Sequence, residues 1–110
     1  MQLVGTVALV GTVPVLSLTG PVDLATVADL RDLLLRLISD YAGRAVLVDL
    51  DGVEALDDVG LGVLLGAAGR ARQIGGDLGV VCANEQLRKR FAFTGLDRAI
   101  AVTATVSEHR

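Results

Sequence analysis

Cysteine, proline, histidine and aromatic side chains are all scarce in this chain of 110 residues, which holds one Cys, two Pro, one His, one Tyr, two Phe and no Trp. The lone Cys82 excludes a disulfide within the chain, and its place at the end of an apolar run reads as an inert packing thiol. The one histidine, His109, falls in a terminal stretch without periodicity. A metal cluster or a Ser-His-Asp arrangement would therefore lack a base held in the core. Gly60-Leu61-Gly62 is glycine-rich, but neither G-x-x-x-x-G-K-S/T nor G-x-G-x-x-G occurs. No enzymatic activity, cofactor or metal is expected on this inventory. The formal net charge is -3 and Lys and Arg form no row along any element, so the attraction that holds nucleic acid is missing. Tyr41, Phe91 and Phe93 are too few and too scattered to stack bases. No apolar run approaches the roughly 18 to 20 residues of a membrane-spanning helix. The opening MQLVGTVALVGT lacks the basic region of a signal peptide, which makes the cytoplasm the expected location.

What the chain does have is apolar periodicity, at 52% hydrophobic and 21% charged residues, enough for one core and so a single domain over residues 1–110. Residues 45–74 organise it. Residues 45–50 are apolar apart from Asp49, as in a central strand covered on both faces. A turn is expected at Asp51-Gly52, after which Val53, Ala55 and Leu56 lead to Asp57-Asp58 at the start of a helix. Leu61, Leu64, Leu65, Ala68 and Ala71 then recur at three- and four-residue intervals and form its sheet-facing side.

Around this unit, residues 3–10 and 13–19 read as strands joined at Gly11-Thr12, with Pro14 near a strand start or the sheet edge. Gly20-Pro21 reads as a break. Asp23 is placed to cap a helix over residues 24–40, with Val22 and Val27 as a staple and Leu24, Val27, Leu30, Leu34, Leu37 and Ile38 on its apolar side. Gly43 ends that helix and Gly75-Gly76 ends the next. Residues 78–82 read as a buried strand, Asn84 as the cap of a helix over 85–93 closed by Thr94-Gly95, and 99–102 as a short last strand. Leu87 and Phe91 share a face of that helix. Residues 103–110 read as a frayed helical or irregular tail. The order β-β-α-β-α-β-α-β predicts an α/β fold with a mixed, mostly parallel sheet.

Two features ask for more than folding. Asp57, Asp58 and Asp23 complement helix dipoles by about 0.3 to 1 kcal/mol each, which would explain them as caps; alternatively they border a recognition surface. Gly62, Gly66 and Gly69 lie on one stripe of the central helix, each at roughly 1 kcal/mol against alanine, which predicts a close approach by a neighbouring element or a partner.

With these segments in view, LSLTGPVDLATVADLRDLL, AVLVDLDGVEALDDVGLGVLLGAAGRARQIGGDLGVV and FTGLDRAIAV, the chain resembles a STAS domain of the anti-sigma factor antagonist type over nearly all its length. The resemblance implies a small α/β binding domain without a cofactor. Its partner would be an anti-sigma factor and serine kinase of the histidine-kinase-like ATPase type, whose capture frees a sigma factor. The family's usual turn is D-S-S-G-L, with the residue before glycine accepting phosphate from the kinase. Here the turn is Asp57-Asp58-Val59-Gly60-Leu61, so Val59 stands at the acceptor position without a hydroxyl. The implied partner-binding residues are Asp23, Asp57, Asp58, Val59, Gly60, Leu61 and Gly62. STAS domains also serve as soluble subunits of lipid or small-molecule transport systems, as nucleotide or lipid sensors, and as subunits that assemble with other STAS proteins. These are the alternative readings.

Overall fold

The uncharged opening of the chain folds back on itself, because alternating β-branched and leucine residues on either side of Gly11-Thr12 suit two strands and a tight turn. In the computed structural model, which describes residues 2–109, strand β1 (Val4–Val10) pairs antiparallel with β2 (Val13–Val22), from Val4 opposite Thr19 to Val10 opposite Val13. Strands β3 (Ala45–Leu56), β4 (Asp77–Val81) and β5 (Val102–Thr103) follow in parallel, and the sheet order is β1-β2-β3-β4-β5. The crossovers between neighbours are helix α1 (Val27–Asp40), helix α2 (Asp58–Gln73), and the pair α3 (Glu85–Thr94) and α4 (Leu96–Ala99). Right-handed connections between successive neighbours carry all of these helices to one face.

Burial follows that geometry. Leu16, Leu18, Val46, Val48, Leu50 and Val80 join Leu30, Leu34, Leu37, Leu64, Ala68 and Phe91 in one core between sheet and helices. The opposite face holds a small cluster of Val15, Leu47 and Val81, with Val13 and Val106 packed against it. Cys82 is fully buried, and desolvation pushes its thiol pKa up, as befits a packing residue. Asn84 caps α3 through its side chain, which accepts from the Gln86 and Leu87 N–H groups at 2.9 and 3.1 Å.

Several element bounds differ from the sequence reading, each for a local reason. β2 runs on through Gly20-Pro21, and β3 through Asp51-Gly52, where a turn was expected. Register shifts between Ser17 and Thr19 and between Gly20 and Val22 absorb the irregularity inside the sheet. Gly52 marks a close approach within the sheet: a Cβ there would lie 2.6 Å from the Leu18 carbonyl oxygen. Helix α1 begins at Val27, and Leu24 is 80% exposed, because Asp23 organises a turn before the helix instead of capping it. The segment expected as a last strand over 99–102 begins inside α4, and the strand is the two residues Val102–Thr103. The tail is docked as a 3-10 turn, Val106–His109, with His109 Nε2 3.1 Å from the Val80 carbonyl oxygen.

Candidate partner-binding site

Strand β3 ends at Leu56 and the chain enters α2 two residues later, so the turn between them is held by backbone on both sides. The Asp57 N–H donates to the Val22 carbonyl at 3.0 Å, and the Asp57 carbonyl accepts from Gly60 and Leu61 at 2.9 and 3.3 Å. The end of β2 and the start of α2 are thereby joined, which brings the turn beginning at Asp23 beside the turn at Asp57. Gly60 is the residue that permits this contact. It is buried, and a Cβ on it would stand 2.5 Å from Val22 Cγ1 and 2.8 Å from Leu56 Cδ1. Leu61, 5% exposed, continues into the core. These two belong to the framework of the site, while Asp57, Asp58, Val59 and Gly62 lie exposed around it.

The carboxylates divide their roles. Asp57 holds the N-cap position of α2 with an extended backbone, yet its side chain makes no capping hydrogen bond. Asp58, whose side chain is 87% exposed, pairs through Oδ1 with Arg90 Nη2 of α3 at 2.5 Å. An exposed pair of this kind contributes little stability, but it sets an arginine at the edge of the turn. Asp23 is the structural one: its Oδ1 accepts from the Ala25 and Thr26 N–H groups at 2.9 and 3.2 Å. The buried Thr26 hydroxyl in turn donates to the Pro21 carbonyl at 2.8 Å.

Val59 opens onto a groove of about 490 Å³ between the two long helices, lined on α2 by Val59, Gly62, Val63, Gly66 and Ala67 and on α1 by Arg31, Leu34 and Leu35. Two glycines of the stripe, Gly62 and Gly66, line this open side, and Gly69 is exposed. Apart from the helix's own backbone, no heavy atom among the described residues would lie within 4 Å of a Cβ at Gly62, Gly66 or Gly69. The expected close approach within the domain is therefore not made. Leu65, expected in the core, is 41% exposed on the same outer side. The α1 wall of the groove and Arg90 escaped the sequence reading. Arg31 and Leu35 are four residues apart on one helical face, and that spacing was the signal available.

Among the described residues no helix is long and apolar enough to cross a membrane. The STAS domain profile matches residues 6–109. The anti-sigma-F factor antagonist RsfB of Mycobacterium tuberculosis is 33% identical over 98 residues, 87% of this chain and 77% of that protein. A Thermotoga neapolitana homologue of TM1081 is 32% identical over 63 residues, and that match spans 57% of this chain and only 56% of the relative's length. The crystal structure of an anti-sigma factor antagonist from Mycobacterium paratuberculosis superposes with a TM-score of 0.84 at 27% identity, covering 96% of this chain and 89% of that one. With its five-stranded mixed sheet and its acidic turn at the head of α2, the chain belongs to the STAS domain family, among relatives named as anti-sigma factor antagonists.

Proposed function

We propose that this chain is an anti-sigma factor antagonist that binds an anti-sigma factor of the histidine-kinase-like ATPase type and so regulates sigma-factor-dependent transcription. Its docking surface is the turn of Asp57, Asp58, Val59 and Gly62 together with the neighbouring Asp23 turn. The observation that carries this reading is the exposed, apolar Val59 at the mouth of the groove between α1 and α2. In the family that position accepts phosphate, which adds about 1.5 to 2 negative charges and can repel a partner. An isopropyl group takes no phosphate, so the docking surface stays permanently in its uncharged form at this position. Asp58 adds one carboxylate, but it carries less charge and fewer acceptor oxygens than a phosphate and is turned to Arg90. The protein is accordingly a constitutive binder.

The test is the affinity of the wild type, Val59→Asp and Asp58→Ser for the ATPase-type anti-sigma factors of the source organism, with folding checked by circular dichroism. Weakening by Val59→Asp alone supports constitutive binding. A large gain from Asp58→Ser would mean that Asp58 acts as a phosphate mimic, and unchanged affinity in both would remove the turn from the interface.

A further inference from the structure

Strand β1 forms one border of the sheet, and among the described residues no strand lies beyond it. Natural edges are protected by charge, proline, bulges or a covering element. β1 has none of the first three: VGTVALV is uncharged, holds no proline, and keeps an unbroken register with β2. From Met1 to Val22 the sequence contains no Asp, Glu, Lys or Arg at all. Val4, Val7, Leu9 and Val10 are 51%, 47%, 56% and 45% exposed, so apolar surface is open on both faces of the strand. On the helix-covered face, α1 comes against the start of the strand: Leu33 Cδ1 lies 3.0 Å from the position a Cβ on Gly5 would take, and the charged Asp29, Asp32 and Arg36 line an open hollow beside Leu3, Val4 and Gly5. Val7 and Leu9 continue beyond that cover.

The backbone of this edge matches itself. Gly11 and Thr12 form a two-residue loop between Val10 and Val13, which makes the Val10–Val13 pair the hydrogen-bonded kind. Alternation along β1 then turns the N–H and C=O groups of Gly5, Val7 and Leu9 away from β2. A twofold axis at Val7 sets Val7 against Val7 of a second copy and Gly5 against Leu9 of a second copy. Every outward-turned residue thereby meets another one. Leu9 of the second copy would stand beside Leu33, over the residue that has no side chain. Neither strand brings a charge, so none is buried without a partner.

We infer that the protein self-associates as a twofold dimer through antiparallel β1–β1 pairing centred on Val7, which extends the sheet across both copies. The contact is isologous, as most homodimer interfaces are, and it uses no residue of the α2 turn. Sedimentation velocity of the wild type, Val7→Lys, Val7→Glu and an equimolar mixture of the two variants tests it. Wild type is expected to approach the dimer mass as concentration rises. Each variant alone places like charges opposite one another and should weaken association by about tenfold or more, while the mixture restores it. A wild type that stays monomeric, a dimer indifferent to both variants, or a mixture that stays dissociated overturns the proposal. Amide hydrogen exchange on the wild type gives a readout that needs no variant. Protection of Gly5, Val7 and Leu9 should rise with concentration while that of Thr6 and Ala8, turned towards β2, stays constant. Dimerisation without that alternation also overturns it.

Discussion

At the scale of single residues, the turn separates chemistry from packing within five positions. Val59 lacks any group that can accept phosphate, so incubation with an ATPase-type kinase and ATP should leave the peptide from Asp57 to Leu61 unmodified by mass spectrometry. Phosphate found on that peptide would defeat the expectation. Val59→Ser supplies the hydroxyl in the same exposed place and should become the one modified position if the turn geometry is what the kinase reads. Gly60, one residue on, is constrained by space. The 2.5 Å gap to Val22 Cγ1 means that Gly60→Ala must move the β2 end or the α2 start, at about 1 to 3 kcal/mol as overpacking usually costs. Thermal unfolding measures this, and an unchanged midpoint would show that the turn yields freely. Asp57 and Asp58 were legible in the sequence as carboxylates at a helix start, and Val59 stood out only through the family resemblance. The reason for Gly60 was not, because it depends on Val22, which is distant along the chain.

At the scale of elements, α2 presents two sides with opposite demands. Leu64, fully buried, should cost about 2 to 5 kcal/mol when cut to alanine, whereas exposed Leu65 should change stability by no more than about 0.5 kcal/mol. The three- and four-residue spacing in the sequence identified Leu61, Leu64, Ala68 and Ala71 correctly. Leu65 sits one residue round from Leu64, and periodicity alone does not say where the apolar stripe stops. The same limit explains α4 and β5, which are too short to show a period. The continuous β3 was missed because a register shift can pass through Asp51-Gly52 without leaving the sheet. The exposed side of α2 carries a further prediction. Gly66 has open space around it and lines the groove, so Gly66→Ala should stabilise the helix by up to about 1 kcal/mol. It should also weaken binding of the anti-sigma factor by partly filling the groove. Calorimetric melting and titration read the two effects separately, and a stabilised variant with full affinity would exclude Gly66 from the docking surface.

At the scale of the whole molecule, the sheet has a thick side and a thin one. The alternation of strands and helices in the sequence was enough to predict a mixed α/β sheet, since each parallel neighbour pair needs a helix to return the chain. What covers the opposite face was illegible, because the described residues 103–109 form one short strand end and one 3-10 turn, with no repeat to read. That turn lies against Val15, Leu47 and Val81 through Val106, and the His109 ring fills the space above Gly79, with Cε1 2.7 Å from where a Cβ would sit. A chain shortened after Thr103 should therefore expose three buried apolar side chains and lose the hydrogen bond at Val80. Burying an aliphatic side chain is worth about 1.5 to 3 kcal/mol, but these three stay partly covered by one another, so a net loss of about 1 to 3 kcal/mol is expected. In a domain of this size each kcal/mol moves the melting temperature by about 4 to 8 °C. The milder Val106→Ser should show a smaller shift of the same sign. Because the groove and the α2 turn draw their support from the helix-covered core, the folded shortened protein should keep its affinity for the anti-sigma factor. An unchanged melting temperature in the shortened chain would mean that the terminal turn rests on the sheet without holding it.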